Sequence, residues 1–140
     1  MEEDLIAPCG MYCAICSGYL AYLNQIPRKR GKISHCKGCR ARDKKCAWLK
    51  GDCELLAKGK VRYCFECPDF PCGHLQHIDA RYRRNFGMSM IENLETIRDR
   101  GVKAFLREQK ARFTCSRCQG LISVHSGKCY VCDDIISWKE

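Results

Sequence analysis

The sequence predicts a small metal-stabilised α+β protein: cysteine-rich loops with short helices, a helical middle segment and a C-terminal zinc ribbon. Three observations predict it. Fourteen of the 140 residues are cysteine, and ten of these form five C-x-x-C pairs. The span 73–114 has no cysteine and carries apolar residues at helical spacing. The residues from Cys115 onward set two of the pairs around the β-type residues Leu121, Ile122, Val124, Tyr130 and Val131. The expected division is a cysteine-rich metal-binding region over 1–74, a helical segment over 75–113 and a zinc ribbon over 114–140.

The pairs are Cys13/Cys16, Cys36/Cys39, Cys64/Cys67, Cys115/Cys118 and Cys129/Cys132. A two-residue gap folds into a knuckle that points both thiolates at one ion, which is half of a tetrahedral zinc site. The first residues, MEEDLIAP, are acidic and carry none of the basic and apolar pattern of an export signal. No stretch is long and apolar enough to span a membrane. The expected location is therefore the cytoplasm, where thiols stay reduced and cysteine clusters hold metal rather than disulfides.

Taken in order, residues 1–16 form a loop carrying CGMYCAIC. Cys9, Cys13 and Cys16 have the spacing of a radical-SAM cluster cradle. A chain of 140 residues cannot supply the barrel such enzymes need, which takes about 200 residues or more. SGYLAYLNQIP (17–27) reads as a short helix, capped by Ser17, with Leu20, Leu23 and Ile26 on one face and Pro27 as its stop. RKRGK (28–32) is a basic loop. Residues 33–72 hold seven cysteines among few apolar residues and read as turns around metal, with a helical turn or two in WLKGDCELLAKG. GHLQHIDARYRRNF reads as a helix with Leu75, Ile78 and Tyr82 together. MSMIENLETIRDRG reads as a second, with Ile91, Leu94 and Ile97 on one side and Gly101 ending it. VKAFLREQKARF reads as a third, with Val102, Phe105, Leu106 and Gln109 on one face.

In the C-terminal unit, Cys115, Cys118, Cys129 and Cys132 form the ligand set of one zinc ion, with Gly120 and Gly127 suiting its turns. Rubredoxin-type iron would use the same four sulfurs. His125 falls outside the count, as a surface residue or a support to the ligands. Upstream, the pattern assigns Cys13, Cys16, Cys36 and Cys39 to one ion and Cys46, Cys53, Cys64 and Cys67 to another. Cys9, Cys72 and His74 remain for a third or for none, and His35 is a further donor. The expected cofactor is zinc, three or four ions in all. An iron–sulfur cluster in the N-terminal region would absorb the surplus thiols equally well, and spacing alone does not fix which thiols share an ion. The run beginning CKGCRARDKKC opens like a fungal binuclear zinc cluster. That pattern fails after Cys53, where ELLAKGK stands in place of the second C-x-x-C pair.

The case for catalysis is thin. There is no glycine-rich phosphate loop. Cys72 and His74, two residues apart on a proline-rich loop, suit metal better than a nucleophile and its base. Glu92, Glu95 and Asp99 fit an exposed helix face. The formal charge is +9, but each four-thiolate zinc site carries net −2, so three sites lower the total to about +3. Basicity is then local, in RKRGK and in ARYRRNF. The readings that follow are a structural or interaction module with a protein partner, an iron–sulfur or thiol redox protein, and a nucleic-acid binder acting through the basic loops. None involves a membrane.

The linked order CGMYCAIC, CKGC, YCFECPDFPC and ENLETIRDRGVKAFLREQ, ending in the ribbon, resembles the cysteine-rich prokaryotic family called domain of unknown function 3795. The resemblance runs from Cys9 to Asp133. It implies metal binding, with zinc the expected metal, and carries no established activity. The ribbon departs from the common C-P-x-C-G knuckle at Ser116 and Gln119, which weakens the turn without changing the ligand count.

Overall fold

The structure, a computed structural model, describes residues 2–42 and 53–140. Three helices in its second half form the framework: α4 (Gly73–Phe86), α5 (Met90–Arg100) and α6 (Val102–Phe113). Before them come α1 (Ser17–Leu23), α2 (Cys39–Arg42) and α3 (Glu54–Ala57). Single 3₁₀ turns lie at Glu2–Leu5, Cys13–Ile15 and Cys64–Glu66. No helix among the described residues is long and apolar enough to cross a membrane.

The framework helices begin and end on local signals. Helix α4 stops at Gly87, whose φ of 63° is left-handed, the conformation glycine adopts most easily at a helix end. Ser89 opens α5 by accepting from the Glu92 N–H at 3.0 Å, a standard N-cap. Gly101, at φ 90°, ends α5 and starts α6. The expected faces bury Leu75, Leu94, Ile97, Phe105 and Gln109, while Ile78, Tyr82, Ile91, Val102 and Leu106 are half-buried.

One residue on that buried surface was not foreseen. Asp79 is 6% exposed and takes hydrogen bonds from Ser89 Oγ (2.6 Å), Ile91 N (3.0 Å) and Arg83 Nε (2.7 Å). Burial alone would raise its pKa; the bonds from Ser89, Ile91 and Arg83 outweigh it and hold the carboxyl below its usual range. The side chain thus ties α4 to the first turn of α5.

The N-terminal loop packs onto this framework and completes one core, containing Ile6, Tyr12, Ile15, Leu75, Met88, Met90, Leu94 and Phe105. Gly10 explains the closeness. At φ 93° it faces the start of α5, and a β-carbon there would lie 2.8 Å from the Met90 carbonyl oxygen. Asn93 Nδ2 donates to the Gly10 carbonyl at 3.0 Å.

Two expectations change. The helix from Ser17 ends at Leu23, short of Pro27. Asn24 caps it through Nδ2 and its backbone, both donating to the Leu20 carbonyl, and Gln25 turns at φ 55°. Leu23 consequently points outward, at 58% exposed. The β component is also slight: among the described residues it amounts to the isolated bridges Ile6–Tyr12, Lys29–Ile33, Thr114–Leu121 and Ile122–Cys129. The described chain is mostly helical. In the C-terminal unit the knuckle over 115–120 and the turn over 123–128 take up the residues that would have extended a ladder.

The C-terminal unit is docked on the N-terminal loop. Val124 N donates to Ile15 O (2.9 Å) and Trp138 N to Lys32 O (2.8 Å). Ser17 Oγ donates to Trp138 O (2.5 Å) and accepts from Ser123 Oγ (2.6 Å). A second apolar cluster, of Leu20, Ala21, Ile33 and Tyr130, joins α1 to this unit.

Candidate metal centres

The best-formed centre is C-terminal. The Sγ atoms of Cys115, Cys118, Cys129 and Cys132 lie within 4.8 Å of one another, and Cys118 and Cys129 are 3.5 Å apart. Tetrahedral zinc at a Zn–S distance of 2.3 Å places its sulfurs roughly 3.8 Å apart, so the four thiols fit the ion. Backbone shapes the first knuckle: Gln119 N donates to Cys115 O (2.9 Å) and Cys115 N to Gly120 O (2.7 Å). Gln119 holds φ 64°, the left-handed position that the common knuckle gives to glycine. In the second knuckle Asp133 N donates to Cys129 O (2.9 Å), and Asp133 Oδ2 accepts from Cys129 N (2.8 Å). Arg117 pairs with Asp133 at 2.7 Å and so links the two knuckles.

Protonation in this centre is uneven. The Cys118 and Arg117 backbone N–H groups bring the Cys115 thiol down to about 6. A shared proton with Cys118 pushes Cys132 up to about 12. A divalent cation would displace the remaining protons, because metal ligation requires thiolate.

Upstream, two knuckles have the same build. Tyr12-Cys13-Ala14-Ile15-Cys16 and Tyr63-Cys64-Phe65-Glu66-Cys67 each set a 3₁₀ turn after an extended, buried tyrosine. Cys16 N donates to Cys13 O at 3.0 Å and Cys67 N to Cys64 O at 3.2 Å. The repeat Y-C-x-x-C was visible in the sequence and is the signal for this matched geometry.

Around the first knuckle gather Cys36 and Cys39. Cys39 N donates to Cys13 Sγ at 3.3 Å. The Cys39 side chain and then burial raise the Cys13 pKa. Burial pushes Cys16 up to about 11, with Cys39 and Cys36 adding to it and the Gly18 and Tyr19 N–H groups opposing. Gly18 lets Cys36 approach: a β-carbon there would sit 3.2 Å from Cys36 Cβ, and Cys36 N donates to Gly18 O at 3.1 Å. Cys13, Cys16, Cys36 and Cys39 are thus neighbours, but among the described residues only the C-terminal four have their sulfurs all within 4.8 Å of one another.

Around the second knuckle the grouping is new. Burial raises the Cys64 thiol, and the neighbouring sulfurs of Cys9, Cys72, Cys53 and Cys67 raise it further. Cys53, Cys64, Cys67 and Cys72 line one cavity of about 20 Å³ with Leu56, Val61, Phe70 and Leu75. Cys64 N donates to Pro8 O at 2.9 Å, which carries Cys9 to this group. Cys9 and Cys72 thus stand with Cys53, Cys64 and Cys67 rather than apart from them. Cys46 lies outside the described residues. His74 is exposed on α4, and His35 donates from Nε2 to the Ile26 carbonyl at 2.6 Å.

Helix starts recur at these thiols, a feature spacing does not reveal. Cys16, Cys53 and Cys72 are the N-cap residues of α1, α3 and α4, and Cys39 is the first residue of α2. At Cys16 the Gly18 and Tyr19 N–H groups of the first turn oppose the burial that raises the thiol. None of the thirteen described cysteines forms a disulfide.

Sequence reasoning also missed the setting of His125, which is half-buried among the rings of Tyr82, Phe86 and Trp138. Its Nδ1 accepts from the Ser17 N–H (3.2 Å), so neutral imidazole carries its proton on Nε2 and donates to Tyr82 Oη (2.8 Å). Burial, with the Arg81 charge second, lowers its pKa to about 4. Burial and the sulfurs of Cys16, Cys9 and Cys39 raise the Tyr82 hydroxyl. Tyr82 and His125 therefore lie between the C-terminal unit and the upstream thiols.

The family model described as a protein of unknown function (DUF3795) matches residues 5–77. That span contains all the upstream thiols and ends before the C-terminal four-cysteine cluster. No curated protein and no solved structure matches the chain.

Proposed function

We propose, from the premise that the chain belongs to the DUF3795 family, that it is a cytoplasmic multi-zinc protein acting as a structural and interaction module. The observation that carries the reading is the C-terminal cluster, whose four sulfurs already have the separation of a tetrahedral ion's ligands. Cys115, Cys118, Cys129 and Cys132 would hold one zinc, with the C-terminal unit a zinc ribbon of reduced β content. Cys13, Cys16, Cys36 and Cys39 would hold a second. A third would draw on Cys9, Cys53, Cys64, Cys67 and Cys72. When bound, zinc supplies a fixed tetrahedral cross-link and no redox chemistry. The residues of the chain do the rest: they pre-shape the knuckles through backbone hydrogen bonds and place Cys16, Cys53 and Cys72 at helix starts.

One observation favours a second reading at that last group. Five thiols are one more than tetrahedral zinc takes, and the cavity that four of them line, Cys53, Cys64, Cys67 and Cys72, has the apolar wall of Leu56, Val61, Phe70 and Leu75. An iron–sulfur cluster held by four of the five would suit the same surroundings and give a redox protein. Metal and acid-labile sulfide analysis of the anaerobically purified chain, with its visible spectrum, separates the two. Three zinc ions per chain without sulfide or colour is the expected result. Iron with stoichiometric sulfide and absorbance near ~400 nm would replace zinc with a cluster upstream of the ribbon.

A further inference from the structure

From Leu5 to Arg42 the sequence carries seven Lys and Arg residues and no Asp or Glu. Four of the seven, Arg28, Lys29, Arg30 and Lys32, lie on one turn, in which every residue from Pro27 to Lys32 is exposed. The turn is held by its own backbone: Lys29 N donates to Ile33 O (3.0 Å), Ile33 N to Lys29 O (2.8 Å) and Lys32 N to Lys29 O (2.9 Å), with Gly31 at φ 74°. Trp138 N also donates to the Lys32 carbonyl. Elsewhere basic side chains commonly find carboxylates, as Arg62, Arg83, Arg98 and Arg117 do. Among the described residues none pairs with the four cations of the turn.

An aromatic ring is linked to the entry of this turn through His35. Tyr22 is 39% exposed, with the Lys37 ammonium 5.9 Å from its ring centre and the His35 ring edge-on at 6.2 Å. His35 is in turn fixed to the Ile26 carbonyl, just before the turn. Unpaired cations and an accessible ring on one stretch of chain are the two parts of a single-strand site: the cations take phosphates and the ring takes an unstacked base. Duplex recognition usually inserts a helix or a two-stranded ribbon into the major groove. The turn has the single bridge Lys29–Ile33, too short a ribbon for that.

We propose that the 28–32 turn and Tyr22 form a binding site for single-stranded nucleic acid. The site goes beyond the zinc reading, since none of its residues is a candidate metal ligand.

The test titrates the zinc-loaded full chain into fluorescein-labelled single strands of RNA and DNA, about 12 nucleotides long, and follows anisotropy. With four phosphates neutralised, the single-strand relation predicts an affinity loss of about 50-fold between ~50 and ~200 mM salt. The triple variant Arg28→Gln, Lys29→Gln, Arg30→Gln should flatten the logarithmic salt slope by about 2, and Arg30→Glu alone should weaken binding further than Arg30→Gln. Tyr22→Ala should lose at least about fivefold at every salt concentration with the slope unchanged, and Tyr22→Phe should restore binding. No saturable binding at low salt would overturn the proposal. So would an unaltered slope in the triple variant, tighter binding to a duplex of the same sequence, or equal binding to anionic phospholipid vesicles. Zinc content measured on each variant should equal that of the parent, so failure here is distinct from failure of the metal assignment.

Discussion

At the residue scale, the burial of His125 sets a dependence on acid. Its imidazole is neutral, with Nδ1 occupied by the Ser17 N–H and Nε2 by Tyr82. Its pKa falls from 6.5 to about 4 because the folded protein removes it from water. Between those two values the unfolded chain binds the proton and the folded one does not, so unfolding is favoured as pH falls. The contribution is complete above pH 6.5 and lost progressively toward pH 4. At pH 5.5 the expected loss is about 1 kcal/mol. Urea unfolding of the parent and of His125→Gln at pH 7.5 and 5.5 checks it: the parent should lose about 1 kcal/mol more than the variant over that interval. An equal loss in both would assign the acid sensitivity elsewhere.

Individual residues also mark the limits of sequence reading. The conformation of Gln119 was foreshadowed, because it stands where the common knuckle has glycine, and it adopts the left-handed φ of 64°. His125 was not legible. Its partners Ser17, Tyr82 and Trp138 are scattered along the chain, and no local pattern unites them.

At the scale of elements, the α4–α5 corner depends on Asp79. Three donors converge on its buried carboxylate, one of them the N-cap hydroxyl of α5. Asp79→Asn substitutes a group that can itself donate and removes the charge that Arg83 answers. The expected cost is about 1–3 kcal/mol, the range for leaving buried polar groups mispaired. Chemical denaturation measures it, and metal content should be unchanged because none of the three donors to Asp79 is a candidate ligand. Unaltered stability would mean that the corner is held by apolar packing alone.

The framework helices were legible because each has apolar periodicity and local stops: α4 spans the expected stretch, and Gly101 ends α5. Helix α1 was overextended because Pro27 drew attention away from Asn24 and Gln25, where the chain actually turns. The grouping of Cys9 and Cys72 with Cys64 was hidden for a different reason. For Cys9 it depends on the hydrogen bond from Cys64 to Pro8, and for Cys72 on the cavity it shares with Cys53, Cys64 and Cys67, neither of which spacing encodes. By contrast, the C-terminal cluster could be read directly, since a short hairpin alone brings its four thiols together.

At the scale of the whole molecule, the core has no boundary between loop and framework. Tyr12, from the cysteine-rich N-terminal loop, meets Phe105 of α6 edge-on at 6.4 Å, and Val124 of the C-terminal unit belongs to the same cluster. A structural zinc contributes about 10–16 kcal/mol in small domains, as much as the net stability of most domains, about 5–15 kcal/mol. With zinc at the upstream thiols, as proposed, its loss should therefore unfold the framework as well as the loops. Titration with a high-affinity chelator, followed by far- and near-ultraviolet circular dichroism, should show both signals falling together. Helical signal that survives complete metal removal would make α4–α6 an autonomous unit.

The two kinds of candidate centre differ in how far along the chain their thiols are gathered, and under the proposed zinc reading this would give metal loading an order in time. The C-terminal four lie within one hairpin, whereas the group around Cys64 reaches back to Cys9. Closing the longer loop costs more chain entropy, by about 1 kcal/mol. During refolding the C-terminal thiols can capture an ion after a local encounter, while those near Cys64 must wait for the N-terminal loop to find α4. Under that reading, when the metal supply runs short, the far-gathered thiols would be the last to be filled and the longest exposed to oxidants.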